Sequence, residues 1–378
     1  MNIIFVIGGL QGGGAEGVVA NLTSQLADRG HQITLICHLK GQVYQVSEKV
    51  NLIDVRTWQY DTFKGSLSKR IYKKATNRFL DYRSFKRIIK EIKPDLVISF
   101  LGNWLWTLVL LCRGRIPLVS AHRNAMALKL RRGDFLTKQI GYRLVYAVQV
   151  MSRWDKAWLR NRYKRVFAMP NPLRFEPLTE EAFKEIFHQR KNILACGRLL
   201  PQKGFDKLIK AFALIEDRYP DWNVDICGSD PASSHYSEVL KSLTCELGLE
   251  NRVHFIGFHK DVDRVMREHS IFCLSSQHEG FPNVLLEAMA NGMACVSFDI
   301  VTGPSEIIID GLDGLIVEDQ NEEALANGLA RLMGNEQERY DFGLRAIEDI
   351  KRFSRDNVVE KWEKLFESII KDFRNEKN

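Results

Sequence analysis

Two glutamates eight positions apart, Glu279 and Glu287, bracket the apolar stretch Gly280-Phe281-Pro282-Asn283-Val284-Leu285-Leu286. Pro282 predicts the first turn of a helix, where a missing backbone N–H costs nothing. The free N–H groups of such a turn, helped by the helix dipole, bind a phosphate without any basic side chain, which makes Gly280, Phe281, Pro282 and Asn283 a candidate anion site. Glu287 lies inside that helix among Leu285, Leu286, Ala288 and Met289. A carboxylate that emerges among apolar neighbours needs partners, and a pair of ligand hydroxyls is one way to supply them. A lone glutamate here would read as a solvated helix-face residue; the spacing to Glu279 favours the ligand.

A second stretch, Ile193-Leu-Ala-Cys-Gly197-Arg198-Leu-Leu-Pro-Gln-Lys203-Gly204, carries cations rather than acids. A strand is predicted to end at Cys196. Gly197 then allows close backbone approach to a ligand, and Arg198 and Lys203 fall at the carboxyl end of that strand, where open α/β sheets bind their ligands. Two cations there suit a diphosphate. Each taken alone would read as an ordinary loop charge.

Together these stretches resemble the family 4 retaining glycosyltransferases of the GT-B fold. The paired-glutamate motif stands as Glu279-Gly-Phe-Pro-Asn-Val-Leu-Leu-Glu287, followed by Ala288-Met289-Ala290-Asn291-Gly292 and Thr302-Gly303-Pro304-Ser305-Glu306; the diphosphate motif stands as Gly197-Arg198-Leu-Leu-Pro-Gln-Lys203-Gly204. The resemblance is dense from about residue 192 to 317 and thinner elsewhere. It implies that Arg198 and Lys203 neutralise a donor diphosphate, that Glu287 holds ribose hydroxyls and that Glu279 faces the transferred sugar. It further implies a nucleotide-sugar substrate, with a UDP-hexose or UDP-N-acetylhexosamine preferred to GDP-mannose on a soluble acceptor, and a role in cell-surface glycan synthesis. No D-x-D arrangement stands in a plausible donor site. Neither a cofactor nor an essential metal is therefore expected, and the diphosphate would leave with help from the two cations and helix dipoles.

In the first half, Gly12-Gly13-Gly14 lies between a predicted strand and helix. Glycines there suit close approach to a ligand, or equally a tight turn. Ser120-Ala121-His122-Arg123-Asn124 follows another strand. Relatives carry a histidine, or an acid followed by Arg-Asn, near this point, so His122 is a candidate to bond the sugar or stabilise charge at the anomeric carbon, with a structural role the alternative. The glycine loop, Arg123 and Asn124 are assigned to the acceptor side.

The elements that must position these residues follow one pattern. Strand-like runs at Ile3–Ile7, Ile33–Cys37, Leu96–Phe100, Leu118–Ala121 and Val148–Met151 alternate with helix-period segments such as Ala15–Arg29 and Phe85–Ile92, which predicts a parallel sheet covered by helices. After Met169-Pro170-Asn171-Pro172-Leu173 the pattern restarts, with strands at Ile193–Cys196, Val224–Cys227, His254–Ile256, Ile271–Leu274, Ala294–Phe298 and Gly314–Val317. The expectation is α/β in class: two doubly wound Rossmann-like domains facing across a cleft, an acceptor-binding domain over 1–170 and a nucleotide-sugar-binding domain over 171–356. A helix over 357–378, striped by Val358, Trp362, Leu365, Phe366 and Ile369, is expected to cross back to the first domain.

Composition agrees with a folded two-domain chain of 378 residues, 45% hydrophobic and 27% charged. The seven cysteines occur singly, without a C-x-x-C pair, and read as buried core residues. The first strand lacks a basic leader, and the apolar stretch from Leu101 to Cys112 is too short to span a bilayer, so the expected place is the cytoplasm. The net charge of +7 conceals an asymmetry: residues 1–170 carry 29 Lys and Arg against 10 Asp and Glu. A basic half suits an anionic partner. Membrane lipid is the reading adopted, with the enzyme held peripherally at the inner face of the cell membrane on a lipid-linked saccharide acceptor. The basic apolar segments Lys64–Lys93 and Lys129–Arg143 are its candidate surface.

Two other classes compete. Gly12, Gly14 and Gly17 satisfy G-x-G-x-x-G after a strand, as in NAD-dependent oxidoreductases, but the second strand runs into Cys37-His38-Leu39-Lys40 with no acid for a ribose. A nucleic-acid-binding protein would explain the basic half and leave the glutamate pair unused. No nucleic-acid partner is expected.

Overall fold

The computed structural model describes residues 1–10, 14–39, 41–55, 67–100, 104–123, 140–231 and 234–377, with the side chains of 67–75 and 77 outside that description. The chain forms two compact units, Met1–Pro172 with Val358–Asn378, and Leu173–Asn357.

In the first unit β1 (Asn2–Gly9), β2 (Gln32–His38), β3 (Asn51–Asp54), β4 (Leu96–Ser99), β5 (Leu118–Ala121), β6 (Ala147–Val150) and β7 (Val166–Ala168) make a sheet in the order β3-β2-β1-β4-β5-β6-β7. Each ladder is parallel. Parallel strands covered on both faces need apolar side chains on both, which is why β1 and β4 read as continuous Ile, Val, Leu and Phe runs. One face packs under the helix Gly14–Asp28, through Val19, Leu22 and Leu26, and under the last helix, Arg355–Asn375, through Val358, Trp362, Phe366 and Ile369. Trp362 is fully buried and Phe366 meets Phe5 edge-on at 6.3 Å. The opposite face packs with Phe85 and Ile88 of the helix Leu67–Ile92 and with the helix Leu105–Cys112.

The second unit holds β8 (Lys191–Cys196), β9 (Val224–Cys227), β10 (Val253–Gly257), β11 (His269–Leu274), β12 (Ala294–Phe298) and β13 (Gly314–Val317) in the order β10-β9-β8-β11-β12-β13, again all parallel. Its core centres on Ile193, Phe212, Ile271, Val296 and Leu329. In this doubly wound order β8 and β11 are neighbours whose connections run to opposite sides. Loops after such a pair diverge and leave a crevice at the carboxyl edge.

Two expectations need adjustment, on Cys245 and on the basic segment Lys64–Lys93. Cys245 is exposed on the helix Tyr236–Glu246, which turns Leu240 and Thr244 inward instead, while the other six cysteines are buried. The stretch ending at Cys112, expected to be too short to span a bilayer, is an eight-residue helix packed on its own sheet, and no helix among the described residues is long and apolar enough to cross a membrane. In the basic segment Lys64–Lys93, Phe85 and Ile88 belong to the core rather than to a lipid-facing stripe, while Phe79 is exposed; Leu67 and Ile71, with the charges Lys69, Arg70, Lys73 and Lys74, have side chains outside the described residues.

Candidate functional site

The β8/β11 crevice gathers the motifs of the second unit. After β8 the chain makes a short 3-10 turn, Pro201–Lys203, and leaves it through Gly204. Gly204 has φ +63°, and a Cβ there would lie 2.0 Å from the Ser275 carbonyl oxygen, so only glycine lets the two loops meet. They are then laced together: the Gln277 N–H donates to the Gln202 carbonyl at 2.8 Å, Gln202 Nε2 to the His278 carbonyl at 3.0 Å, and Ser275 Oγ to the Lys203 carbonyl at 3.1 Å.

This lacing brings Lys203 Nζ to 2.5 Å from Glu279 Oε1. Ser276 Oγ donates to the same oxygen at 2.8 Å, and Thr302 Oγ1 holds the Glu279 carbonyl. Both side chains of the pair are largely buried, at 18% and 11% exposure. The space left by the absent Cβ of Gly197 is occupied by the Lys203 stem, which would be 3.2 Å from it. Arg198 is exposed, with no hydrogen bond or ion pair among the described residues, and is therefore the uncommitted cation of the loop.

The helix Asn283–Ala290 starts one residue later than the sequence suggested, with Pro282 as its N-cap. Gly303, at φ +106°, keeps the neighbouring loop against Pro282, since a Cβ there would be 2.6 Å from Pro282 Cδ. Phe281 is buried edge-on against Phe353 at 5.8 Å, whereas Gly280 and Asn283 stay half-exposed. The N–H groups of Leu285 and Leu286 donate to the Pro282 carbonyl, at 3.0 and 3.4 Å, so what this end of the helix offers an anion is chiefly the positive end of its dipole.

Glu287 is buried on this helix, and Arg174 Nε lies 3.3 Å from its Oε1. Burial dominates its titration. Loss of water pushes the carboxyl from 4.5 up to about 7, with Arg174 pulling down and Asp263 pushing up more weakly. A partner half-exposed to solvent does not fully replace the lost hydration. Arg174 was missed from sequence: it stands 113 residues from its partner, and the only cue was its place directly after Asn171-Pro172-Leu173. Ser276 was likewise missed.

In the first unit, His122 and Arg123 follow β5 at the carboxyl edge of its sheet. The His122 N–H donates to the Gln149 carbonyl at 2.8 Å, and its Nδ1 is 3.1 Å from Tyr142 Oη. Arg123 lies over the Phe100 ring at 4.7 Å and gives Nη1 to Asn171 Oδ1 at 2.6 Å. Its enclosed Nε and Nη2 have no hydrogen-bond partner among the described residues, and burial pulls the guanidinium down from its ordinary range. Gly14 opens the helix Gly14–Asp28. Gly12, Gly13, Asn124 and most of the Lys129–Arg143 segment lie outside the described residues.

Known proteins resemble this chain over nearly its whole length. Residues 12–174 match the model of Glycosyltransferase Family 4, and residues 179–349 match that of Glycosyl transferases group 1. The chain is 28% identical to the GalNAc-alpha-(1->4)-GalNAc-alpha-(1->3)-diNAcBac-PP-undecaprenol alpha-1,4-N-acetyl-D-galactosaminyltransferase of Campylobacter jejuni, over 98% of this chain and 99% of that one. It is 32% identical to an exopolysaccharide phosphotransferase of Streptomyces coelicolor over 78% of this chain, which spans only 31% of that longer protein. Among solved structures, a sucrose-phosphate synthase from Thermosynechococcus elongatus superposes with a TM-score of 0.80 at 18% identity, covering 98% of this chain and all of that one, which shows a shared fold. With two Rossmann-like sheets and both halves matched, the chain is a glycosyltransferase of the GT-B fold and belongs to glycosyltransferase family 4.

Proposed function

We propose that this enzyme transfers a hexose or N-acetylhexosamine from a UDP-sugar to a lipid-linked saccharide, with retention of anomeric configuration, at the inner face of the cell membrane. The observation that carries the reading is the buried Lys203–Glu279 pair, set beside the exposed Arg198 at the β8/β11 crevice. Arg198 is free to receive a diphosphate, Lys203 can share itself between Glu279 and a phosphate oxygen, and the N-terminal end of the helix Asn283–Ala290 adds the positive end of its dipole.

In the reaction the bond between the anomeric carbon and the diphosphate oxygen breaks, and the negative charge that builds on the leaving diphosphate is met by these groups. Their fixed positions stabilise that charge without reorganisation, and no metal is required in this scheme. Glu287 accepts hydrogen bonds from the ribose hydroxyls, and Glu279, oriented by Lys203 and Ser276, addresses the sugar. His122 is assigned to the transferred sugar and its anomeric carbon, and Arg123 to the acceptor, where its two nitrogens without a partner among the described residues suit an anionic group such as a lipid diphosphate. The Campylobacter relative supports a lipid-linked acceptor and an N-acetylhexosamine, since its name states both.

The test is a donor panel. Purified enzyme is offered UDP-glucose, UDP-galactose, their N-acetyl forms and GDP-mannose, and nucleoside diphosphate release is followed. Turnover of a UDP-sugar that falls about 10²-fold in Arg198→Ala supports the reading. Exclusive use of GDP-mannose, or release unaffected by Arg198→Ala, contradicts it.

A further inference from the structure

The first unit carries a surface that the glycosyl-transfer site does not use. Directly after β6 the helix Arg153–Leu159 places Trp154 and Trp158 four residues apart on one face. Their rings stack at 6.3 Å with planes 11° apart, and both stay substantially exposed, at 39% and 38%. Arg162 lies over the Trp158 ring at 3.9 Å. Around the pair, Arg153, Lys156, Arg160, Arg162 and Lys164 are exposed as well. The single acid between residues 151 and 165, Asp155, is buried and bonded to Ser152, so it does not offset those charges at the surface. The helix is tied inward by Leu159, and the following turn by Tyr163, both in the core beneath β6. The exposed indoles are thus held on a rigid footing.

We propose that this tryptophan and arginine surface docks the enzyme on an anionic lipid bilayer. Indole rings favour the interfacial layer of a membrane, where an apolar ring and a polar N–H are both satisfied, and cations beside them favour anionic headgroups. A soluble anion would reward the cations and leave the stacked indoles in water. The placement also serves the reaction: β6 neighbours β5 in the sheet, and His122 and Arg123 leave β5 at the same carboxyl edge from which this helix leaves β6. Docking here brings that edge to the headgroup plane, where the diphosphate of a lipid-linked acceptor resides. This last step rests on the acceptor proposed above; the docking itself does not.

The experiment uses the full chain with vesicles of phosphatidylcholine alone and with phosphatidylglycerol at 30%, in low and high salt, with and without brominated acyl chains. Three proteins are compared: wild type, Trp154→Ala/Trp158→Ala, and Arg160→Ser/Arg162→Ser/Lys164→Ser, each checked for unchanged thermal unfolding. Wild type is expected to sediment with the anionic vesicles, to lose affinity in salt, and to have its fluorescence quenched by the brominated lipid. Each variant is expected to bind about tenfold or more weakly, and the tryptophan variant to lose most of the quenching. Wild-type binding by the tryptophan variant, equal binding to neutral vesicles, or no quenching would overturn the proposal. So would tight capture by a single-stranded nucleic acid with no vesicle binding. Nucleoside diphosphate release without vesicles is measured on the same samples. If it persists while docking fails, only the docking surface is wrong; if docking holds while release is absent, only the transfer reading is.

Discussion

Replacing Glu287 with glutamine removes a carboxyl whose burial raises it from 4.5 to about 7, and that shift links folding to pH. An acid raised on folding holds its proton more tightly in the folded chain, so its contribution is fully present below about pH 4.5 and is lost as pH rises through about 7. The interval of about 2.5 pH units, at about 1.4 kcal/mol each, makes wild type on the order of 3 kcal/mol less stable at pH 8 than it would be with an unperturbed glutamate. Ribose hydroxyls donate to the ionised form and favour it. UDP binding at pH 6 is therefore expected to expel about one proton from Glu287, and at pH 8 almost none. Calorimetry in two buffers of different ionisation enthalpy reads this directly. The terminal phosphate of UDP itself titrates near pH 6, so the readout is the difference between wild type and Glu287→Gln. If the two release equal numbers of protons at pH 6, Glu287 does not meet the nucleoside and the reasoning fails.

Lys203→Met or Glu279→Gln alone strands a buried charge and is expected to cost about 3–5 kcal/mol in urea unfolding; the double variant should recover much of that while all three lose transfer. Gly204→Ala forces a Cβ into the Ser275 carbonyl at positive φ and should destabilise the second unit by about 2 kcal/mol or more, detectable by the same unfolding assay. Chelation with EDTA is expected to leave donor turnover unchanged; loss restored by magnesium or manganese would mean that the leaving diphosphate needs more than Arg198 and Lys203.

Most strands of both sheets were legible because a strand buried on two faces must be apolar throughout, and β5, β9, β12 and β13 fall where the sequence put them. β3 was not legible. Asn51–Asp54 is a four-residue edge strand with exposed ends, and its alternation is too short to stand out from a loop. The helix Leu105–Cys112 was hidden for the opposite reason: Leu-Trp-Thr-Leu-Val-Leu-Leu-Cys is apolar on nearly every side and shows no period. At the site, motif spacing put Arg198, Lys203, Glu279 and Glu287 at the edge of one sheet. Spacing carries no information about which charges pair. Lys203 was expected to serve a diphosphate alone, and its bond to Glu279 depends on two loops laced across β8 and β11, a relation set by strand order rather than by neighbourhood in the chain.

The central claim, retaining transfer from a UDP-sugar, is tested most directly by the anomeric configuration of the first product. The enzyme is given the UDP-sugar it turns over together with a lipid-linked saccharide acceptor, and the new linkage is followed by proton NMR from the earliest time points. An α-linked donor should yield an α-linked product, formed by wild type and not by Glu279→Gln/Lys203→Met. A β-linked first product, or transfer that survives in that double variant, would contradict the account.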